Sequence, residues 1–413
     1  PAPTKLNCFS WQDASGMHRS VDYDEMGSVL GAAKEFIGHN IVRYDLPVIE
    51  KILGWSPKNH QRVIDTLALS WYLYGHWRSK HGLESFGNDF KMPKVSIDDW
   101  ENLSVSEYIN RCEVDVHITH RLWGQLKYNL EVMYKDEVSM WNCIDYLTFK
   151  MYCAADQEKL GWRIDVDKAT LFMNQLEAEQ LEKVELLSKA MPKKTLLVER
   201  KKPKVWNKKD GSLSTLAVKW CSLMDEMLLP ISTETVNVVQ SVELANPNSI
   251  TQVKDWLFGL GWEPTTFEYH KNKETGEERA VEQIRKDGEL CSSVKVLQDR
   301  NPEVVHLEGL TIINHRLAIF RSFVACAREG YVKATIAGFT NTLRFRHARP
   351  LVNLPSVDKP WGKEIRSCLI APDGKGLCGA DMVSLEDTTK RHYMQPHDPK
   401  YCLLYTSDAA DEP

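Results

Sequence analysis

Three aspartates carry the chemistry this sequence can be read for: Asp45 in HNIVRYD, Asp115 in RCEVDVHITHRL, and Asp381 in CGADMVSLEDTTKRHYM. Carboxylate oxygens are hard donors. Brought together they hold Mg²⁺ or Mn²⁺, and two such ions activate a water and stabilise a leaving oxygen. Asp45 follows Tyr44 where the chain turns into an apolar helix, with Leu46, Ile49 and Leu53 at helical spacing. Pro47 falls in the first turn and Gly54 closes the far end. A carboxylate buried there needs a partner. Asp115 lies about 60° from Cys112 on a helical wheel, at the margin of an apolar stripe. Taken singly, Asp115 reads as a solvated flank and Asp381, closing a strand, as a turn former.

The elements that must position these residues change along the chain. Residues 1 to about 100 alternate short apolar runs with helical stretches, as an α/β domain does. Ser104 and Glu107 then make a capping box, followed by a stripe of Ile109, Cys112, Val116, Thr119, Trp123, Leu126 and Leu130. Helix continues over 131–190, interrupted by KLGWRID, and the basic stretch 192–211 reads as a solvated loop or linker. A mostly helical region with a charged, turn-like insert at 270–279 reaches Gly330. From Tyr331 strands are expected, with APDGKG turning as a hairpin and Ser384 capping a helix with Asp387.

Composition bounds the class. The 413 residues are 43% hydrophobic and 26% charged, enough for two or three domains. A net charge of −5 argues against wholesale non-specific nucleic-acid binding, while leaving room for a local basic groove. Ten scattered cysteines without a CxxC fit a reduced compartment and exclude a disulfide framework or a zinc site. No apolar run approaches a membrane span, and no signal peptide opens the sequence. The start resembles the middle of a strand, so further sequence is expected upstream. CLLYTSDAADE matches one reading frame of a transposase-type sequencing-library adapter, so 402–413 is expected to be an artefact and the natural chain to be cut at both ends.

HNIVRYD has the Asn-x-x-x-Tyr-Asp form, and VIDTLALSWYLYG, HGLESFG and RCEVDVHITHRL follow in order. Together these segments resemble the 3′→5′ exonuclease domain of phage-type family A DNA polymerases, relatives of bacterial DNA polymerase I. The resemblance implies Asp45 and Asp115 as metal-holding carboxylates, with Asn40 and Tyr44 binding the substrate strand. Two departures stand out: the family's first motif, Asp-x-Glu, is absent, and Arg111 replaces a tyrosine. CGADMVSLEDTTKRHYM is similar to the first palm motif, which implies Asp381 as a catalytic metal ligand. By the same match Glu386 helps exclude a ribose 2′-OH, and His392 takes a family histidine position. TNTLRFRHARPLVNLP is similar to the segment in which Arg344 would contact the primer–template duplex, beside His347, with Leu343 in place of a glycine. Arg366 matches the arginine before the hairpin, and NPNSITQVKDWLFGLGWEPT resembles the thumb. Neither a fingers helix nor the His-Asp-Glu motif occurs before residue 402.

The fold these resemblances imply is α/β plus α+β and multidomain. An RNase H-like (DnaQ-like) exonuclease domain lacking its first motif would span 1–135, linker helices and a helical thumb 136–330, and the start of a polymerase palm 331–401. The implied function is template-directed DNA synthesis with proofreading, in the bacterial host's cytoplasm during phage replication. It would use Mg²⁺ (or Mn²⁺) in two-metal sites. Primer–template DNA and deoxynucleoside triphosphates are the implied partners, with a host processivity factor as a further candidate and no membrane. With one palm motif present, these residues alone are expected not to polymerise. A stand-alone DnaQ-like exonuclease and a non-catalytic DNA-binding remnant are the alternatives.

Overall fold

A computed structural model describes residues 3–75, 77–100, 102–272, 275–286 and 288–400, so the adapter-like tail at 402–413 lies outside the described residues. The chain forms two units, Pro1–Cys368 and Leu369–Pro413.

The first unit opens with an antiparallel hairpin of β1 (Phe9–Asp13) and β2 (Gly16–Ser20), then α1 (Tyr23–Ala32), whose first turn is capped by the Asp22 carboxylate. β3 (Glu35–Gly38), α2 (Asp45–Leu53) and β4 (Arg62–Asp65) follow, with β3 and β4 parallel. Among the described residues the two pairs remain separate two-stranded sheets. The expected helix after Tyr44 forms with Leu46 and Ile49 inward, and Gly54 ends it at φ 64°, a conformation glycine adopts without strain.

α3 (Thr66–Tyr74), α4 (Leu83–Asp89), α5 (Val105–Met133) and α6 (Glu137–Leu160) complete this part. Both halves of the Ser104–Glu107 capping box are present. The buried face of α5 is Ile118, Leu122, Leu126 and Leu130, all fully covered, with Ile144, Leu147 and Met151 of α6 in the same core. The face is therefore rotated from the expected stripe: Ile118 and Leu122 are in, while Val116 and Trp123 stand at the margin. Each such side chain contributes about 1.5–3 kcal/mol by leaving water, so this ladder fixes how α5 lies and hence where Asp115 points.

β5 (Trp162–Ile164) leads into α7 (Val166–Ala190), whose first turn accepts a cap from Asp165. The basic stretch expected as a loop or linker begins with a strand, β6 (Lys194–Lys201), and is largely irregular from 202 to 211. After α8 (Thr215–Glu226) it is paired antiparallel by β7 (Thr235–Glu243). Alternating Leu196 and Val198 gives this segment a strand periodicity that its lysines obscure. α9 (Ile250–Gly259) precedes the hairpin of β8 (Phe267–Lys271) and β9 (Glu278–Glu282), whose end carries the charged insert. β10 (Arg285–Lys286), β11 (Glu289–Leu290), α10 (Ser292–Gln298), a 3₁₀ turn at Pro302–Leu307 and α11 (Leu310–Cys326) close the region. Trp256, Leu257, Trp262, Val294 and Val304 share a second core with Leu187 of α7.

β12 (Tyr331–Val332) pairs with β5, and β13 (Ile336–Phe339) with β14 (Phe345–His347). Leu343, standing where a glycine was expected, takes φ 60° in the turn between β13 and β14, and its N–H donates to the Thr340 carbonyl. α12 (Gly362–Ser367) is pressed against the preceding loop: a Cβ at Gly362 would lie 1.8 Å from the Ser356 carbonyl oxygen.

In the second unit α13 (Leu385–Met394) forms, but the strand expected over CGADM does not, and APDGKG closes no hairpin there. Ser384 adopts φ 45° and makes no side-chain cap, so the expected Ser384–Asp387 box is also absent. No helix among the described residues is long and apolar enough to cross a membrane.

Candidate functional site

The carboxylate cluster is built where β4 ends. Asp65 caps α3 with Oδ1 accepting from the Leu67 N–H at 3.0 Å, and the same oxygen accepts from the Asn40 N–H at 3.0 Å. Its Oδ2 accepts from the Val42 N–H at 3.3 Å. The carboxylate thereby stitches the turn after β3, where Asn40 has φ 61°, to the start of α3. That turn delivers Tyr44 and Asp45 to the N-terminus of α2. Asp65 is fully buried, and desolvation raises its pKa to about 6 against the backbone donors of Val42, Asn40, Leu67 and Ala68 that lower it.

Asp45 has surface open to solvent yet is densely surrounded by protein. That crowding is the main reason its pKa is raised to about 7, and the Asp65 carboxylate, Cys112 and the Asp115 carboxylate add to it. Asp45 and Asp115 are thus within electrostatic reach of one another. Tyr44 is exposed beside them, and the Asn40 Oδ1 is buried without a partner.

Asp115 is already engaged. Lys94 Nζ approaches its Oδ1 to 2.8 Å and Arg111 NH1 to 3.8 Å, close ion pairs rather than aligned hydrogen bonds. One turn back, Cys112 accepts from the Cys8 thiol, which pushes the Cys8 pKa up and draws that of Cys112 down. His39 donates or accepts at Thr66 Oγ1, 3.0 Å from Nδ1, while burial lowers its pKa to about 4.

This donor set does not fit a metal centre as it stands. No group of three or more His, Cys, Asp or Glu side chains among the described residues is placed to hold an ion, and Asp115 spends its oxygen on a lysine. Asp65 and Lys94 were not singled out from sequence. Asp65 had a signal, an Asp immediately before a helical apolar run; Lys94, in an irregular segment, had none.

The remaining sequence-read residues fall elsewhere. Arg344 lies in the turn before β14 and His347 at its end, both exposed. Arg366, on α12, donates from Nε to the Pro355 carbonyl at 2.6 Å and from NH2 to the Leu354 carbonyl at 3.3 Å, so it also fastens the preceding loop. Asp381, Glu386 and His392 belong to the second unit and are exposed, Asp381 in irregular chain and the other two in the first and last turns of α13.

No protein-family model matches the chain, and no curated protein matches it in sequence. Among solved structures it is similar to the POL domain of Pol1 from M. smegmatis, solved in complex with DNA primer-template and dNTP. The TM-score is 0.54 at 14% identity, over 89% of this chain and 52% of that one. The two share a mixed α/β fold, and this chain spans about half the length of its neighbour.

Proposed function

We propose that the chain is part of a template-directed DNA polymerase of the phage family A type, with a 3′→5′ exonuclease domain ahead of thumb and palm. One observation carries the reading: nearly the whole chain follows the fold of a polymerase domain solved with primer-template and dNTP. The sequence resemblances of the segments between 39 and 122 and between 340 and 394 support it independently. In this reading Asp381 is the palm carboxylate, Glu386 screens the sugar, and His392 lines the same helix. Arg344, His347 and Arg366 meet the duplex. Asp45 and Asp115 are the exonuclease carboxylates, with Asn40 and Tyr44 at the strand terminus. Primer–template DNA and deoxynucleoside triphosphates are the substrates, and Mg²⁺ is the ion such carboxylates would recruit.

One feature favours a second reading, a DNA-binding remnant without exonuclease chemistry: Lys94 and Arg111 both pair with the Asp115 carboxylate. The test is primer–template binding by the 413-residue chain, followed by anisotropy across a salt series, together with primer extension and 3′-end digestion in Mg²⁺. The expected result is salt-dependent binding with no incorporation, because no group of three or more His, Cys, Asp or Glu side chains among the described residues, around Asp381 or elsewhere, is placed to hold a metal ion. Digestion of the 3′ end, lost in Asp45→Asn, would reject the remnant reading. Absence of any DNA binding would overturn both.

A further inference from the structure

A concavity, separate from the carboxylates, opens between the chain following α3 and the β13–β14 hairpin. Its volume is about 360 Å³, at the small end of ligand sites. Trp71 and Phe339 form an apolar floor, 9% and 8% exposed, with their rings T-shaped at 5.4 Å. Trp77 stands at the rim and is 78% exposed, its indole edge-on to Tyr74 at 5.6 Å. An indole left so open contributes little to the core, and a flat ring beside an apolar floor is a surface on which another flat ring can stack.

The polar lining is cationic. Arg78 is spent on the Asp89 carboxylate at 2.6 Å and the Ser85 hydroxyl at 2.7 Å. His81 is held towards its neutral form by burial and by Arg78 and Arg346, with its ring nitrogens at Ser70 Oγ and the Arg78 carbonyl. Arg346 differs: its guanidinium donates to the Ala337 carbonyl at 3.1 Å and, among the described residues, pairs with no carboxylate. One uncompensated guanidinium beside a stacking surface, in a space too small for a duplex, suits a planar heterocycle carrying a phosphate.

We propose that this pocket binds a nucleoside phosphate, with the base stacked on Trp77 and the phosphate held by Arg346. The ligand is either a free nucleotide or one unit of a single strand. The inference uses neither Asp45, Asp115 nor Asp381, so it stands apart from the polymerase reading.

Calorimetric titration of the 413-residue chain with thymidine 5′-monophosphate, thymidine, inorganic phosphate and tetrathymidylate tests it. The monophosphate is expected to bind at least tenfold more tightly than thymidine or phosphate. Trp77→Ala should weaken it about tenfold, and Arg346→Gln should reduce it to the affinity of thymidine while leaving thymidine itself unchanged. Arg346→Lys should recover part of the loss. Thermal melts, unchanged in Trp77→Ala and Arg346→Gln, separate lost contacts from lost structure. A tetranucleotide bound tenfold more tightly than the monophosphate, and weakened by both variants, would identify a strand as the ligand. Equal affinities would identify the free nucleotide. No binding of the monophosphate, or binding indifferent to both substitutions, would overturn the proposal.

Discussion

Lys94 Nζ lies 2.8 Å from Asp115 Oδ1, within electrostatic reach of Asp45, whose pKa is raised to about 7 first by burial and then by the neighbouring carboxylates. The ammonium occupies the oxygen a divalent ion would need, and Arg111 NH1 stands 3.8 Å from that same oxygen. Two cations against one carboxylate leave little field to attract a metal.

Removing the ammonium should therefore change metal response more than stability. Lys94→Met keeps the apolar stem but deletes the charge, and is expected to cost about 1 kcal/mol, since the pair is partly open to water. In millimolar Mn²⁺ the variant should recover that loss in a thermal melt, while the parent chain should be indifferent to the ion. A parent chain stabilised by Mn²⁺ as strongly as the variant would show that Lys94 does not guard Asp115.

His39 should govern the acid side of the stability curve. Burial first, with Lys94 and His81 adding to it, lowers its pKa from 6.5 to about 4. Above pH 6.5 it is neutral folded or unfolded and has no effect. Below that, the unfolded chain takes up the proton first, so stability falls until pH 4 and then levels. Asp45 and Asp65, raised to about 7 and about 6, act in the opposite sense: they favour the folded chain increasingly as pH falls from 7 towards 4. The two effects offset each other in the parent. His39→Gln should thus gain about 2 kcal/mol relative to the parent at pH 4.5, and nothing at pH 7.5, in urea denaturation. Parallel curves for the two proteins would refute the assignment.

How much of this was legible beforehand follows from range along the chain. The Ser104–Glu107 box and the Gly54 stop were readable because their partners lie within a few residues. The strand expected at CGADM was not there, because a strand needs a ladder partner and the preceding Gly374 and Gly376, with Gly379 inside the segment, supply turn freedom instead. β6 was misread for the converse reason, its partner lying some forty residues downstream, in β7. At the carboxylate cluster, residue types marked Asp45 and Asp115, but Lys94 carries no motif and only folding brings it to Asp115.

Asp65 should be the costliest single carboxylate to lose. Three backbone donors, from Asn40, Val42 and Leu67, converge on it in a fully buried setting. Asp65→Ala is expected to cost about 3 kcal/mol, because it strands those donors and uncaps α3 together. Asp65→Asn keeps one acceptor oxygen and should cost roughly half as much. If Asp65→Ala melted within a degree of the parent, the turn that presents Asp45 would have to be held by something else.

The loop before α12 offers a test of the DNA surface that does not depend on catalysis. Gly362 has no room for a methyl group, since its Cβ would meet the Ser356 carbonyl oxygen at 1.8 Å. Gly362→Ala must move either the loop or the first turn of α12, and a shift of α12 carries Arg366 with it. Arg366 in turn holds that loop through the Pro355 and Leu354 carbonyls, so helix and loop should move as one. If Arg366 contacts the duplex, Gly362→Ala should lower the melting temperature by several degrees and weaken primer–template binding about tenfold. Arg344, exposed in the turn before β14, provides the contrast. Arg344→Ala should leave the melt within a degree yet weaken binding and lower the salt slope by about one. A folded Gly362→Ala protein that binds primer–template as well as its parent would remove Arg366 from the DNA surface and leave it as a fastener of the loop alone.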